Sequence, residues 1–462
     1  MVKTDTIAAI ATPLADAGIG IVRISGEEAF DLIGRIFRKK DGSQLTSIRD
    51  VVSREVYYGF IYDGDRPLDE VLMIVMKAPH SYTAEDTVEI DCHGGSLMMK
   101  RILETVVRNG ARLAEPGEFT KRAFLNGRID LSQAEAVIDV ISAQNDHALQ
   151  SSVSQLQGSV SRTIKGLRER ILYQVAYIES ALDDPEHIPL DEDYRDQLES
   201  FLETVKVEIR ALIASFDHGR VMTEGVKTVI LGKPNVGKSS LMNLLLGEER
   251  AIVTDIAGTT RDTLEEKLSL GGITLKVVDT AGIRSTEDVV EKIGVDRAKR
   301  AAGEADLIIY VVDGSSPLDE DDRAIMELIR DKQSIVLLNK SDLAIVVSKE
   351  ELEERTGQRV IMISAKEELG MDRLEEEIKA LFYQGEIHFN DQVILTNLRH
   401  KTALEESLRS LERVEQSIAE GMPEDLYPID MMDAYGQLGS IIGEAVGEDL
   451  VDEIFRKFCM GK

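Results

Sequence analysis

The sequence predicts a multidomain protein that combines α/β and purely helical parts. Its 462 residues are enough for two to four domains. Short strands alternate with a few helices up to about residue 120, which indicates an α+β domain. Helical spacing then dominates, is interrupted near residue 222 and returns near residue 397. Between these helical parts, apolar strands alternate with helices, as in a doubly wound α/β domain. We therefore expect an α+β domain (1–120), a helical domain in two parts (121–222 and 384–462) and an inserted α/β domain (223–383).

The N-terminal domain is predicted from strands that end at turn residues. Residues 63–65 (DGD) lie between two of these strands and predict a hairpin. Arg23, Glu89 and His93 are polar residues near glycines, and their chemistry alone favours ordinary turn residues. The expected strands cover residues 6–11, 19–24, 56–62, 71–77 and 87–92, and the expected helices cover 27–37 and about 96–108.

The helical domain is predicted from long stretches with few helix breakers. A capping box from Ser132 to Glu135 precedes an apolar stripe, and helical spacing continues to Leu182. Further helices are expected over residues 194–216, 397–419, from about 432, and over 448–458.

The functional prediction starts from a glycine loop, residues 232–239, which reads GKPNVGKS. It follows an apolar run and opens a helical pattern, the context in which such a motif binds phosphate. Backbone N–H groups of the loop and helix would hold phosphate oxygens. Lys238 would reach the outer phosphates, and the Ser239 hydroxyl would bind Mg²⁺. Glycine-rich turns also join strands to helices in proteins that bind no ligand there. The later segments of the sequence therefore decide whether this loop binds a nucleotide.

Three later segments specify the nucleotide. Residues 279–282 (DTAG) follow a strand, where the carboxylate can act on Mg²⁺ and the glycine N–H on the γ-phosphate. Residues 339–342 (NKSD) end another strand, and their aspartate can accept two hydrogen bonds that guanine offers and adenine does not. Residues 364–366 (SAK) are similar to the loop that backs the base. In this order the segments are the signature of a Ras-like GTPase domain that binds GTP and GDP.

The predicted guanine-nucleotide contacts come from five segments of this domain. They are Asn235, Val236, Gly237, Lys238, Ser239, Ser240, Thr254, Asp255, Ile256, Ala257, Gly258, Thr259, Thr260, Asp279, Thr280, Ala281, Gly282, Asn339, Lys340, Ser341, Asp342, Ser364, Ala365 and Lys366.

Two departures from a Ras-type site bear on hydrolysis. Ile283 stands where the water-orienting glutamine is usual. Glu287, Asp288 and Glu291 are acidic substitutes, although an acidic run is more often a solvated loop. In the segment 254–262, a threonine (Thr260) can give its hydroxyl to Mg²⁺. Exposed carbonyls there, with the Asn235 side chain, would hold a monovalent cation such as K⁺, which would supply the charge that an arginine finger supplies elsewhere.

Composition narrows the class of protein. The chain has no 18-residue apolar run and no N-terminal signal pattern. Cys92 and Cys459 lie far apart, which fits a reducing cytoplasm. The formal net charge of −30 argues against a generic nucleic-acid coat, so any RNA contact needs a local basic patch.

The whole chain, beyond these motifs, resembles the family of tRNA-modifying GTPases called MnmE or TrmE. The likeness rests on residues 18–26 (GIGIVRISG), 116–127, the GTPase motifs, 254–262 and 458–462 (FCMGK). A generic ribosome-assembly GTPase would share only the central third.

The resemblance implies a homodimer formed through an N-terminal domain that is similar to a tetrahydrofolate-binding module. It implies a flavoprotein partner, MnmG, which carries FAD and joins a heterotetramer. Together they would place an aminomethyl or carboxymethylaminomethyl group on C5 of the wobble uridine of certain tRNAs. The implied ligand is 5-formyltetrahydrofolate or a related folate, with Arg23, Glu89, Arg128 and Lys462 at matching positions. Cys459 matches a terminal cysteine implicated in the modification, and its alternative is a helix-end cysteine without a role.

For hydrolysis, the resemblance implies a K⁺ shell of Asn235, Thr254, Ile256 and Thr259, with Glu291 organising the water. K⁺ would let the two GTPase domains of the dimer meet. A regulatory switch in ribosome assembly or stress response, without modification chemistry, is the alternative function. The folate-like motifs and the terminal cysteine favour modification, because a switch needs neither.

Overall fold

The structure is a computed structural model that describes residues 5–44, 52–187, 193–247, 265–270, 273–278, 300–382, 393–444, 447–456, 458 and 461. Two compact units divide the chain. The first comprises Met1–Ile138, Gln155–Ser200 and Arg409–Lys462, and the second comprises Asp139–Ser154 and Phe201–Leu408.

A seven-stranded sheet forms the centre of the N-terminal domain, in the order β3-β4-β5-β6-β2-β1-β7. Neighbouring strands are antiparallel except for the parallel pair β1 and β7. Helices α1 (Ala29–Ile36) and α2 (Ser96–Arg108) contribute apolar side chains to its core, because their buried residues recur at helical spacing. The strands are β1 (Ile7–Ile10), β2 (Ala17–Ser25), β3 (Phe37–Lys39), β4 (Val56–Asp63), β5 (Arg66–Met76), β6 (Thr87–Gly94) and β7 (Arg112–Leu113).

The predicted hairpin joins β4 to β5. Asp63 pairs with Arg66, which leaves Gly64 and Asp65 as a two-residue turn, and Gly64 has a φ of 61°. Such turns need residues that tolerate positive φ, so the prediction from residues 63–65 is confirmed.

Five helices follow in the chain. The long helical run predicted up to Leu182 is interrupted, since Gly158 has a φ of +84° and separates two of the helices. The helices are α3 (Glu118–Leu125), α4 (Leu131–Ser142), α5 (Asp146–Leu156), α6 (Ser159–Asp183) and α7 (Tyr194–Glu224).

The start of α4 differs from the prediction. Asp130 Oδ1 accepts hydrogen bonds from Gln133 N at 3.1 Å and Ser132 Oγ at 2.6 Å, and Gln133 Oε1 accepts one from Asp130 N at 3.0 Å. The capping box therefore runs from Asp130 to Gln133. The prediction of Ser132 and Glu135 is wrong by two residues, because aspartate and glutamine serve the same two roles.

The inserted domain is a six-stranded sheet in the order β13-β12-β11-β8-β10-β9. All its described pairs are parallel except β9 with β10. Later strands lie on both sides of β8, so the sheet is doubly wound and the predicted α/β class is confirmed. Its elements are β8 (Val226–Leu231), α8 (Lys238–Leu245), β9 (Glu265–Leu270), β10 (Ile273–Val278), β11 (Leu307–Asp313), α9 (Glu320–Ile329), β12 (Ser334–Asn339), α10 (Lys349–Thr356), β13 (Val360–Met362) and α11 (Met371–Phe382).

The α-helices described after the inserted domain are α12 (Leu398–Ala419), α13 (Tyr427–Ile442) and α14 (Glu448–Arg456), with a short 3-10 helix at Glu424–Leu426. Helix α13 begins five residues before the predicted start, with a proline in its first turn, where its missing N–H costs nothing. Helix α6 packs against α13, with the Arg168 guanidinium 4.0 Å from the centre of the Tyr435 ring. Helices from the two sequence parts of the predicted helical domain are therefore in contact. In the described part of the chain, no helix is long and apolar enough to span a membrane.

Candidate functional site

The glycine loop turns sharply between β8 and α8. Gly232 and Gly237 have φ angles of +149° and +102°, and Asn235 adopts a φ of 62°. A Cβ on Gly232 would lie 2.4 Å from the Val311 carbonyl oxygen, and one on Gly237 would lie 2.2 Å from Asn339 Nδ2. Both positions therefore require glycine, because a side chain there would collide with neighbouring protein atoms.

Lys238 spans this loop. Its Nζ donates to the carbonyl oxygens of Gly232 and Lys233, each at 2.6 Å. Helix α8 begins at Lys238, and the first-turn N–H groups of a helix have no partner within it. A fixed ammonium beside a helix N-terminus fits a phosphate group, with Ser239 and Ser240 in the same turn.

Asn339 links the glycine loop to two other loops. Its Nδ2 donates to the Val236 carbonyl oxygen at 2.8 Å, and its Oδ1 accepts from the Ala365 N–H at 3.0 Å. The residue ends β12 and is 3% exposed. This buried amide therefore fixes the loops that follow β8, β12 and β13 relative to one another.

Asp342 lies at the position predicted to bind the base. Its Oδ1 accepts a hydrogen bond from Ser364 Oγ at 2.7 Å, and this bond holds the pKa of the Asp342 carboxyl below its usual value. Lys340 Nζ pairs with Asp313 Oδ2 at 2.6 Å, at the end of β11. The ionised carboxylate can accept two hydrogen bonds from a guanine edge. Asp313 was not predicted, although it ends an apolar strand in the same way as the motif residues.

The structure brings together three of the five predicted nucleotide segments. Residues 235–240, 339–342 and 364–366 lie in the described part of the domain, after β8, β12 and β13. The remaining predicted contacts lie outside the described residues; these are Thr254, Asp255, Ile256, Ala257, Gly258, Thr259, Thr260, Asp279, Thr280, Ala281 and Gly282, as well as Glu291. Within the described ranges, no group of three or more His, Cys, Asp or Glu residues could hold a metal ion.

A second cluster lies in the N-terminal domain. Arg23 on β2 and Glu89 on β6 are cross-strand neighbours, with Nε and Oε1 2.7 Å apart. The turn interpretation is therefore wrong for both residues, because strand register rather than a turn places them. The guanidinium carbons of Arg23 and Arg128 lie 5.2 Å and 4.6 Å from the centre of the Tyr82 ring. Tyr82, which no motif indicated, thus has two cations close to its aromatic ring.

The last described residue of the chain belongs to this cluster. The Gly461 carbonyl oxygen accepts a hydrogen bond from Arg23 Nη1 at 3.2 Å, and a Cβ on Gly461 would lie 2.4 Å from the Ile10 carbonyl oxygen. Cys459 and Lys462 lie outside the described residues. Three predicted folate contacts, Arg23, Glu89 and Arg128, thus lie near the C-terminal segment.

His93 follows a different pattern. It is exposed at the end of β6, and its Nδ1 lies 2.7 Å from Asp69 Oδ1. The hydrogen bond to the Asp69 carboxylate raises the pKa of the His93 imidazole. On the same strand, burial raises the pKa of the Cys92 thiol to about 11, so this cysteine is a poor nucleophile.

The chain matches two family models and is similar to known proteins over its full length. The family model described as MnmE helical domain matches residues 131–459, and the model described as GTP-binding protein TrmE N-terminus matches residues 6–128. A tRNA modification GTPase MnmE from Lachnoclostridium phytofermentans is 56% identical over 461 residues, which is 100% of both chains. Another from Acetivibrio thermocellus is 48% identical over 100% of both chains.

A solved structure, the G domain of the FeoB iron transporter of T. maritima, is 29% identical and covers 34% of this chain and 99% of its own. Its TM-score of 0.27 is too low to support a conclusion about fold. The full-length identities are decisive, and the chain belongs to the MnmE family of tRNA modification GTPases.

Proposed function

We propose that this chain is a K⁺-activated GTPase that works with the flavoprotein MnmG on tRNA. The reaction adds an aminomethyl or carboxymethylaminomethyl group to C5 of the wobble uridine of certain tRNAs. The observation that carries the proposal is the hydrogen bond from Arg23 to the Gly461 carbonyl oxygen, at 3.2 Å. It joins the C-terminal segment that contains Cys459 to the cluster of Arg23, Glu89 and Arg128. A regulatory switch needs neither a folate-binding cluster nor a terminal cysteine.

The chemistry of the side chains and backbone groups suggests which residues of the nucleotide site bind the phosphates, the base and Mg²⁺. The ammonium of Lys238 and the N–H groups of the glycine loop bind the phosphates, and Asp342 accepts hydrogen bonds from guanine N1–H and the 2-amino group. Ser239 and Thr260 hold Mg²⁺, which neutralises developing negative charge on the phosphates when bound. Glycine at position 237 supports this assignment because it lets the glycine loop approach Asn339, which links the loop to the expected base-binding segments; a Cβ there would lie 2.2 Å from Asn339 Nδ2.

Hydrolysis depends on groups other than a glutamine. Because Ile283 cannot orient water, Glu291 takes that role by accepting a hydrogen bond from the attacking molecule. Oxygen atoms of Asn235, Thr254, Ile256 and Thr259 would hold K⁺, which would supply positive charge to the phosphates when bound. The described member of this set, Asn235, lies at the left-handed bend of the glycine loop.

The N-terminal cluster suits a folate. A pterin ring carries the same N–H and 2-amino pattern as guanine, and the Glu89 carboxylate can accept from it. Arg23, Arg128 and Lys462 are cations that pair with the carboxylates of a folate glutamate tail. Arg23 and Glu89 are mostly buried, 13% and 17% exposed, so ionic contacts with them are weakly screened.

The N-terminal sheet also supports the proposed homodimer. Tyr58 on β4 pairs in register with Leu72 on β5, and both are 45% exposed. Val56, two residues before Tyr58 and on the same face, is 57% exposed. These exposed apolar side chains, with the Glu70 carboxylate bonded to the Tyr58 hydroxyl beside them, suit a partner of the same chemistry, such as a second copy of the chain. The buried free thiol of Cys92 fits the proposed cytoplasmic location.

Mass spectrometry of wobble-uridine nucleosides tests the proposal. Cells that lack the gene should lose the aminomethyl-type nucleosides, and the parental gene should restore them. Cys459→Ser should keep GTPase activity and fail to restore them, while Cys92→Ala, which removes the other thiol, should restore them. Unchanged nucleosides in the deleted strain would refute the modification chemistry and leave the regulatory switch.

A further inference from the structure

Lys233, the second residue of the glycine loop, is bound by two carboxylates from another element. Its Nζ lies 2.6 Å from Asp322 Oδ2 and 2.7 Å from Asp319 Oδ2. The Lys233 side chain is 17% exposed and the Asp322 side chain is 2% exposed. The pair with Asp322 is therefore screened far less than a surface pair, whereas the Asp319 side chain is 55% exposed and its pair is weaker.

Hydrogen bonds to groups other than Lys233 hold both carboxylates in position. Asp319 caps α9 by accepting hydrogen bonds from the N–H groups of Asp321 and Asp322, at 3.1 and 3.2 Å. Asp322 Oδ2 accepts from the Asp319 N–H at 3.1 Å, which completes a capping box. Asp322 Oδ1 accepts from the hydroxyl of Tyr310, a fully buried residue of β11, at 2.8 Å. The anchor for Lys233 is therefore built into the sheet and the helix start.

Lys233 also touches the lysine that is expected to reach phosphate. Its carbonyl oxygen accepts the hydrogen bond from Lys238 Nζ at 2.6 Å. The Lys233 side chain fixes this carbonyl at one end of a loop whose Asn235 has a positive φ of 62°. Residues in such backbone conformations persist where the surroundings hold them.

We propose that Lys233 is a positioning residue for the nucleotide. Its pairing with Asp319 and Asp322 holds the glycine loop in its phosphate-binding shape. The Lys233 ammonium also offsets one of the two negative charges of Asp319 and Asp322, which repel the phosphates. This inference rests on the proposed binding of GTP and GDP at the loop, and it assigns a role to a residue outside the predicted contacts.

Calorimetric titration of GDP and steady-state GTP hydrolysis test the role. Lys233→Met should raise the Kd for GDP about tenfold or more, the worth of one charge-assisted hydrogen bond, and should raise KM more than it lowers kcat. Lys233→Arg should restore most of the affinity, because a guanidinium can bind both carboxylates. The matched control is Lys379→Met, which removes an exposed ion pair with Glu375 on α11 and should change neither quantity.

Two further variants separate anchoring from folding. Asp319→Asn keeps a good helix cap and loses one carboxylate, so the Kd for GDP should rise while the urea midpoint stays the same. Lys233→Met combined with Asp322→Asn should regain part of the affinity lost in Lys233→Met, since the unpaired buried charge is gone. Failure of the parental protein to bind GDP would refute the proposed function. Parental binding with an unchanged Kd in Lys233→Met or Asp319→Asn would overturn the role of Lys233 alone.

Discussion

Replacing Asn339 by alanine removes the side chain that joins three loops of the nucleotide site. Two hydrogen bonds disappear, one to the Val236 carbonyl oxygen at 2.8 Å and one from the Ala365 N–H at 3.0 Å. The bond to Val236 is buried, and the bond from the half-buried Ala365 is partly buried. We expect weaker nucleotide binding, since the loops that carry the phosphate and base contacts lose their connection.

The magnitude follows from the two groups left unpaired. Each buried group without a partner costs about 1–3 kcal/mol, so two such groups would cost at most about 2–6 kcal/mol, and the partly buried Ala365 N–H contributes less than a buried one. Expressed fully as binding free energy, this range corresponds to an affinity about 30-fold to 10⁴-fold weaker. Water that enters the space vacated beside Gly237 would satisfy part of this loss, so we expect the lower end of the range.

Isothermal titration with GDP measures the affinity, and urea unfolding followed by circular dichroism separates binding from stability. Asn126→Ala is the matched control, because it removes one hydrogen bond to the Thr83 carbonyl oxygen in the N-terminal domain. The control should bind GDP like the parental protein. An Asn339→Ala variant with parental GDP affinity and a parental urea midpoint would refute the reasoning that this amide couples the loops.

Four further outcomes are expected. Gly237→Ala should abolish GDP binding, because the added Cβ would lie 2.2 Å from Asn339 Nδ2; Gly303→Ala, with no atom within 4 Å of the added Cβ, should bind GDP normally in the same titration. Asp342→Asn exchanges an acceptor for a donor, so competition assays should show weaker binding of GTP and stronger binding of xanthosine triphosphate, and retained preference for GTP would contradict this. GTP hydrolysis should be much faster in K⁺ than in Na⁺ at equal ionic strength. Equal rates in the two salts would refute the proposed K⁺ site. Glu291→Ala should lower kcat a few hundredfold, which corresponds to a loss of about 2.7–4 kcal/mol of transition-state stabilisation, while the GDP affinity stays unchanged. An unchanged kcat would indicate that another acidic residue positions the water.

Many of the strands and helices could be predicted from the local spacing of apolar residues in the sequence. Strand β6 was predicted within two residues, because buried and partly exposed residues alternate along it. Strands β3 and β7 were missed, since three and two residues are too few to show a period. The start of α4 was misplaced because serine and aspartate compete as caps, and only the hydrogen bonds of Asp130 decide between them.

The nucleotide site was predicted where contiguous motifs carry it and missed where distant residues meet. The positions of Asn339 and Asp342 follow from the end of a strand. The pairing of Lys233 with Asp322 joins residues far apart in sequence, and no short motif encodes it. Arg23 was interpreted as a turn residue because its partner Glu89 is set by the register of β2 on β6, which periodicity alone does not define. The roles of residues outside the described ranges stay predictions.

The packing of α6 against α13 has a consequence for synthesis on the ribosome. Roughly 240 residues separate Asp183 from Tyr427 in the chain. At a translation rate of about 5–20 residues per second, α13 is synthesised about 10–50 seconds after α6, so the apolar side of α6 is not covered by α13 during this time. During that interval the inserted domain can complete its own sheet, whereas the helical domain cannot close. The nascent helical segment is therefore the part of this protein on which we expect chaperones to act.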